Sequence, residues 1–231
     1  MEKQNKFPSE IVELPSKGLL YSKESPLSSG KIEMKYMTAK EEDILTNQNY
    51  IERGVVIDKL LQALIVDKEI DYNDLLIGDK NALLIAARVL GYGKDYEFNY
   101  GDTKEIIDLT QLKEKDFDSK AFKAGKNEFT YTLPTTGVEL TYKLLTHGDE
   151  AKIQREITGL RKINKDASPD LSTRLKYMIT AVNGDGETKT IRDFVDNQFL
   201  ARDSRSFRKH IENISPDVDM KFYPENGPEE G

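Results

Sequence analysis

Residues 14–65 read LPSKGLLYSKESPLSSGKIEMKYMTAKEEDILTNQNYIERGVVIDKLLQALI. This stretch passes through turns, a strand and two helices with almost no filler. Pro15, Gly18, Pro26 and Gly30 are turn formers that break regular structure. Ile32, Met34 and Tyr36 then alternate with Glu33 and Lys35, the period-2 pattern of a half-buried strand. Thr38-Ala-Lys-Glu41 matches a capping box, in which the threonine and the acid three residues on satisfy each other's orphan backbone donors. Glu41, Glu42 and Asp43 place negative charge where a helix N-terminus favours it. Gly54 breaks the pattern, and Ile57, Leu60, Leu61, Leu64 and Ile65 then share one face of a new helix.

Working outward, residues 1–30 hold three of the eight prolines and form a turn-rich arm without clear periodicity. Thirty such residues are long for an idle loop. Pro15, Lys17, Gly18 and Tyr21 are therefore candidate partner-binding residues. A third helix is predicted over 79–90, apolar nearly all round and so buried, with Gly91 ending it. Alternation at Tyr96, Phe98 and Tyr100, a segment from Glu105 to Leu109 after a Gly101-Asp102 turn, and alternation again over 128–133 and 138–144 around a Pro134-Thr-Thr-Gly137 turn predict a small antiparallel sheet of about four strands.

Helical spacing returns in the last third. Thr146 caps one helix, and Ser168-Pro169 opens a second that carries Leu171, Leu175, Met178, Ile179 and Val182. Further helices are marked by Ile191, Phe194 and Val195, and by Phe207, Ile211 and Ile214. Residues 217–222 are predicted to form a terminal strand, followed by a frayed tail. The pattern shows no internal repeat. The expected architecture is α+β: a helical N-terminal half, a small central antiparallel sheet and a helical C-terminal part. Its segments are an arm (1–30), a strand plus helical subdomain (31–94), a sheet region (95–145), a helical subdomain (146–216) and a terminal strand with tail (217–231).

Composition narrows the chemistry. The 231 residues include no cysteine and two histidines, which excludes thiol nucleophiles, disulfides and most zinc chemistry. Neither a signal-peptide core nor a membrane-spanning apolar run is present, so a soluble, cytoplasmically made protein is expected. The net charge of −7 divides as −5 over 1–145, +2 over 146–214 and −4 over 215–231, which argues against general nucleic-acid binding.

Each site-like motif has a plainer structural explanation. His147-Gly-Asp149-Glu150 suggests acid–base chemistry, yet it also reads as a helix start with dipole-complementing acids. Gly91-Tyr-Gly93 follows a helix and lacks the remaining features of a phosphate loop. Asn183-Gly-Asp-Gly-Glu187 is too short for a calcium loop and reads as a helix-to-helix turn. Arg192, Arg202, Arg205 and Arg208, with Lys209 and three interleaved phenylalanines, form the best basic cluster and the second candidate partner-binding set. The balancing explanation is a solvated face paired with Asp193, Asp196 and Asp203.

The chain also resembles the baseplate hub subunit and hub-assembly family of T-even-like contractile-tailed bacteriophages. The matching blocks are LPSKGLLY (14–21), the run 25–65, LIGDKNALLIAARVLGYGKDY (76–96), LLTHGDEAKI (144–153), RLKYMITAVNGD (174–185) and the run 191–220, in order over more than half of the chain. MTAKEEDIL and GDKNALLIAARVLGYG are the most specific. The resemblance implies a non-enzymatic role in building the hub through contacts with other phage baseplate hub proteins. It implies no cofactor and no catalytic residues, and a place in the host cytoplasm during assembly or in the virion tail baseplate. Relatives of that family can carry cysteine pairs suggestive of a metal ribbon; this chain has none, so no metal is implied. The rival readings are a nucleic-acid-binding phage factor using residues 192–209 and a hydrolase using His147 and Asp149.

Overall fold

The computed structural model describes residues 8–165 and 169–221. The fold is α+β. Strand β1 (Ser9–Glu13) pairs antiparallel with β2 (Lys31–Lys35), with Ile11 opposite Glu33. Four helices follow: α1 (Ala39–Leu45), α2 (Gln48–Glu52), α3 (Val56–Leu64) and α4 (Ile77–Tyr92). A two-stranded ribbon, β3 (Asp95–Tyr100) and β4 (Thr103–Asp108), projects next. The hairpin β5 (Phe129–Thr132) and β6 (Glu139–Tyr142) is extended by β7 (Ile179–Val182) into a three-stranded sheet. Around that sheet lie α5 (His147–Ile163), α6 (Asp170–Met178), α7 (Thr188–Asp193) with a π-helical turn after it, and α8 (Ala201–Ile214).

Local chemistry explains most of these boundaries. Glu41 reaches back to accept from the Thr38 N–H at 3.1 Å, and the Thr38 hydroxyl donates to the same carboxylate at 2.6 Å. Asn47 caps α2 by accepting from the Tyr50 N–H, so the helical run after Thr38 is split in two. On α3, Leu60, Leu61 and Leu64 are buried, as their spacing requires. One buried cluster runs from Leu14 to Ile214 and takes in Leu83, Leu140, Tyr142 and Phe207. The sequence segments therefore share a core.

Five expectations are corrected. The arm is not wholly irregular: residues 9–13 are a strand, because β2 offers them an antiparallel partner. The central strands do not make one four-stranded sheet. Two of them form a separate ribbon, and the third strand of the other sheet comes from residues 179–182. Those residues were expected to continue a helix; instead α6 stops at Met178 and the chain pairs with β6. Helix α4 runs through Gly91, which packs against Met37, and ends at Gly93, whose φ of +83° suits a helix stop. Nor is α4 buried all round: Leu84 is exposed, and one face lines an open groove of about 440 Å³ beside β1. Ser168, the expected helix cap, and the tail 222–231 lie outside the described residues. Within 217–221, Val218 forms a single antiparallel bridge to Glu114.

Candidate partner-binding surface

The N-terminal candidates turn inward. Pro15, Gly18 and Tyr21 are buried, and of the four only Lys17 is exposed. Asp79, the third residue of α4, explains why. Its carboxylate accepts from the Ser16 N–H at 2.9 Å, the Ser16 hydroxyl at 2.7 Å and the Tyr21 hydroxyl. The Tyr21 oxygen in turn accepts from the Leu76 N–H at 2.9 Å. Burial pushes the Asp79 carboxyl above its usual range, against the pull of these donors. Burial and the adjacent Asp79 also raise the Tyr21 phenol, so its proton stays on. Gly18 sits at φ +75°, where an added Cβ would lie 2.4 Å from the Ser28 carbonyl oxygen. The turn-rich arm thus docks on its own chain. Lys17 pairs with Glu114.

The C-terminal candidates separate into two groups. Arg192 is half-buried and forked onto Glu156 at 2.8 and 3.0 Å, with Tyr177 donating to the same carboxylate. That pairing holds α7 to α5 and occupies the guanidinium. On α8, the buried side presents Asp203, Phe207 and Ile214. The outer side presents Arg202, Arg205, Arg208 and Lys209, all exposed. Arg205, Arg208, Lys209 and Glu212 line an open concavity at the i, i+3, i+4, i+7 spacing of one helix face. None of the four cations makes an ion pair among the described residues. Asp203, named as a balancing acid, does not serve them. It accepts from the Thr135 and Thr136 N–H groups and from the Thr136 hydroxyl. Burial would raise its carboxyl, but those donors hold it below the usual range. Asp196 pairs with Lys176, and Asp193 holds Asn197 and Gln198.

His147 does not meet Asp149. Asp149 closes the α5 capping box with Thr146 and pairs with Lys143 at 2.7 Å. His147 faces Asp58 and Lys80 on α3 and α4, with the Tyr72 ring edge-on at 4.6 Å. Among the described residues no three His, Asp or Glu side chains converge as a metal site requires. Asn183-Gly184-Asp185 joins a strand to a helix rather than two helices, with Asn183 at φ +49°. Among the described residues no helix is long and apolar enough to cross a membrane. Compared with models of known protein families, with curated proteins and with solved structures, the chain matches none.

Proposed function

We propose that this chain is a non-enzymatic baseplate hub protein of a contractile-tailed phage, a hub subunit or hub-assembly factor acting through protein–protein contacts. The observation that carries the reading is the ordered run of family-like blocks, above all MTAKEEDIL and GDKNALLIAARVLGYG. The exposed face of α8 supports this reading. The outer face of α8 carries four exposed cations that make no ion pair among the described residues, with Glu212 beside three of them, backed by a buried face that fixes the helix. Arginine-rich patches of this kind are enriched where proteins meet. The arm is withdrawn from the proposed contact set, Lys17 included because Glu114 pairs with it, and Arg192 is withdrawn because Glu156 holds it.

The same cations favour one rival, binding of nucleic acid through residues 192–209. Phosphate contacts make such binding fall steeply with salt. Co-expression with baseplate hub proteins followed by size exclusion tests the main reading: co-elution with one of them is expected, and elution alone in every pairing would defeat it. A DNA or RNA affinity that drops steeply between low and physiological salt would favour the rival.

A further inference from the structure

His147 is the first residue of α5, and that end of the helix is seated on the N-terminal layer. The His147 N–H donates to the Leu75 carbonyl at 2.8 Å, and the Ile77 N–H donates to the Leu145 carbonyl at 3.3 Å. Gly148 rests on Asn73 so closely that an added Cβ would lie 3.1 Å from both its Cβ and its carbonyl oxygen.

A polar cluster closes over this joint. On α4, Lys80 Nζ lies 3.2 Å from His147 Nδ1 and 2.6 Å from Asp58 Oδ1. On α3, Asp58 Oδ2 lies 3.7 Å from His147 Nε2, and Oδ1 also accepts from the Tyr72 hydroxyl at 3.0 Å. The imidazole is 11 % exposed. On the turn between α3 and α4, Tyr72 packs edge-on to the ring, while Asp71 and Asp74 are exposed. On α5 itself Glu150 is held by Arg174, and Asp149 by Lys143.

The distances select one protonation state. An ammonium only donates, so Nδ1 beside Lys80 must accept, which places the ring proton on Nε2, toward Asp58. Neutral His147 therefore accepts from a cation on α4 and turns its N–H toward an anion on α3. A second proton would convert Nδ1 into a donor facing the ammonium, at a helix N-terminus that already disfavours positive charge. We propose that His147 is a proton-operated latch: neutral, it holds the first turn of α5 on α3 and α4, and protonated, it lets that turn go.

Burial and Lys80 lower the imidazole's affinity for its proton, and the opposing pull of Asp58 and Glu150 does not overcome them. The sign follows. A folded state that resists protonation keeps the latch intact above the ordinary histidine value of 6.5 and loses it as pH falls below that. The other histidine, His210, is also lowered by burial, but it sits on the three-stranded sheet against Tyr131 and Tyr142. A local readout therefore separates the two.

Amide exchange of the full chain, expressed as protection factors at pH 7.5 and pH 5, is that readout. The first turn of α5 should lose roughly threefold or more of its protection at pH 5 relative to the centre of the helix. His147→Gln, whose side chain keeps an acceptor for Lys80 but cannot titrate, should abolish the difference. Equal protection at both pH values in the native chain would overturn the proposal. Proton NMR titration of the two imidazoles covers the case in which the variant does not fold. His147 should titrate below 6.5 and move upward in Lys80→Met, whereas titration at or above 6.5 in the native chain would also overturn it.

Discussion

The helix starts of α1 and α5 solve one problem in one way, and those of α4 and α8 solve it in another. All four helices carry an acid at the third position, Glu41, Asp149, Asp79 and Asp203, and all four acids are buried. Where the preceding cap is Thr38 or Thr146, the acid turns back and closes a local box. Where the cap is Leu76 or Leu200, no side chain is available there to close one. The acid then reaches across the fold, Asp79 to Ser16 and Tyr21, Asp203 to the hairpin turn at Thr135 and Thr136. The local pair even share a spelling, KYMTAKE (35–41) and KLLTHGD (143–149), in which a lysine leaving a strand pairs with the acid six residues on. The lesson is that the identity of the capping residue decides whether a first-turn acid stabilises its own helix or pins a distant loop.

The largest test of that difference is Asp79→Ala. It leaves the Ser16 N–H, the Ser16 hydroxyl and the Tyr21 hydroxyl without their acceptor, at a cost of about 3–5 kcal/mol by chemical denaturation. Gly18→Ala attacks the same dock from the loop side. The left-handed φ and the clash with the Ser28 carbonyl together predict a loss of about 2–4 kcal/mol. Thr146→Ala disturbs only a local box, and about 1 kcal/mol is expected. If Thr146→Ala costs as much as Asp79→Ala, the distinction between local and distant acids fails.

Acid sensitivity sharpens the contrast, with opposite signs. The Glu41 carboxyl is buried, which alone would raise it, but hydrogen bonds from Lys35 and Thr38 draw it down to about 2. Its contribution is therefore complete above the ordinary glutamate value of 4.5 and is lost as pH falls through about 2. Asp79 is raised, so the folded state takes up its proton first and gains relative stability as pH falls toward the ordinary aspartate value of 3.8. Glu41→Gln should flatten the acid-side decline in melting temperature, and Asp79→Asn should steepen it.

Much of this was legible in the residues. The Thr38 and Thr146 caps, the hairpin around 134–137 and the apolar face of α3 all declared themselves through spacing that local physics enforces. Strand β7 did not, because Leu171, Leu175, Met178, Ile179 and Val182 continue a helical rhythm, and only pairing with Leu140 and Tyr142 pulls the last four residues straight. The docking of the arm is hidden from the sequence for a related reason. Its burial is set by Asp79, some sixty positions away, and a single aspartate at a helix start looks like dipole complement. On α8 the exposed arginines were legible. That Arg192 belongs to Glu156, and Asp203 to the hairpin, depended on contacts across the fold.

The smallest expected effect on stability is also the most direct test of the functional account. Arg205→Glu, Arg208→Glu and Lys209→Glu combined should change folding stability little, because surface substitutions of this kind typically cost within about 0.5 kcal/mol each. If a baseplate hub protein co-elutes with the native chain, as proposed, the same variant co-expressed with it should elute alone at physiological salt. Undiminished co-elution of a folded triple variant would contradict the assignment of the α8 face as the docking surface.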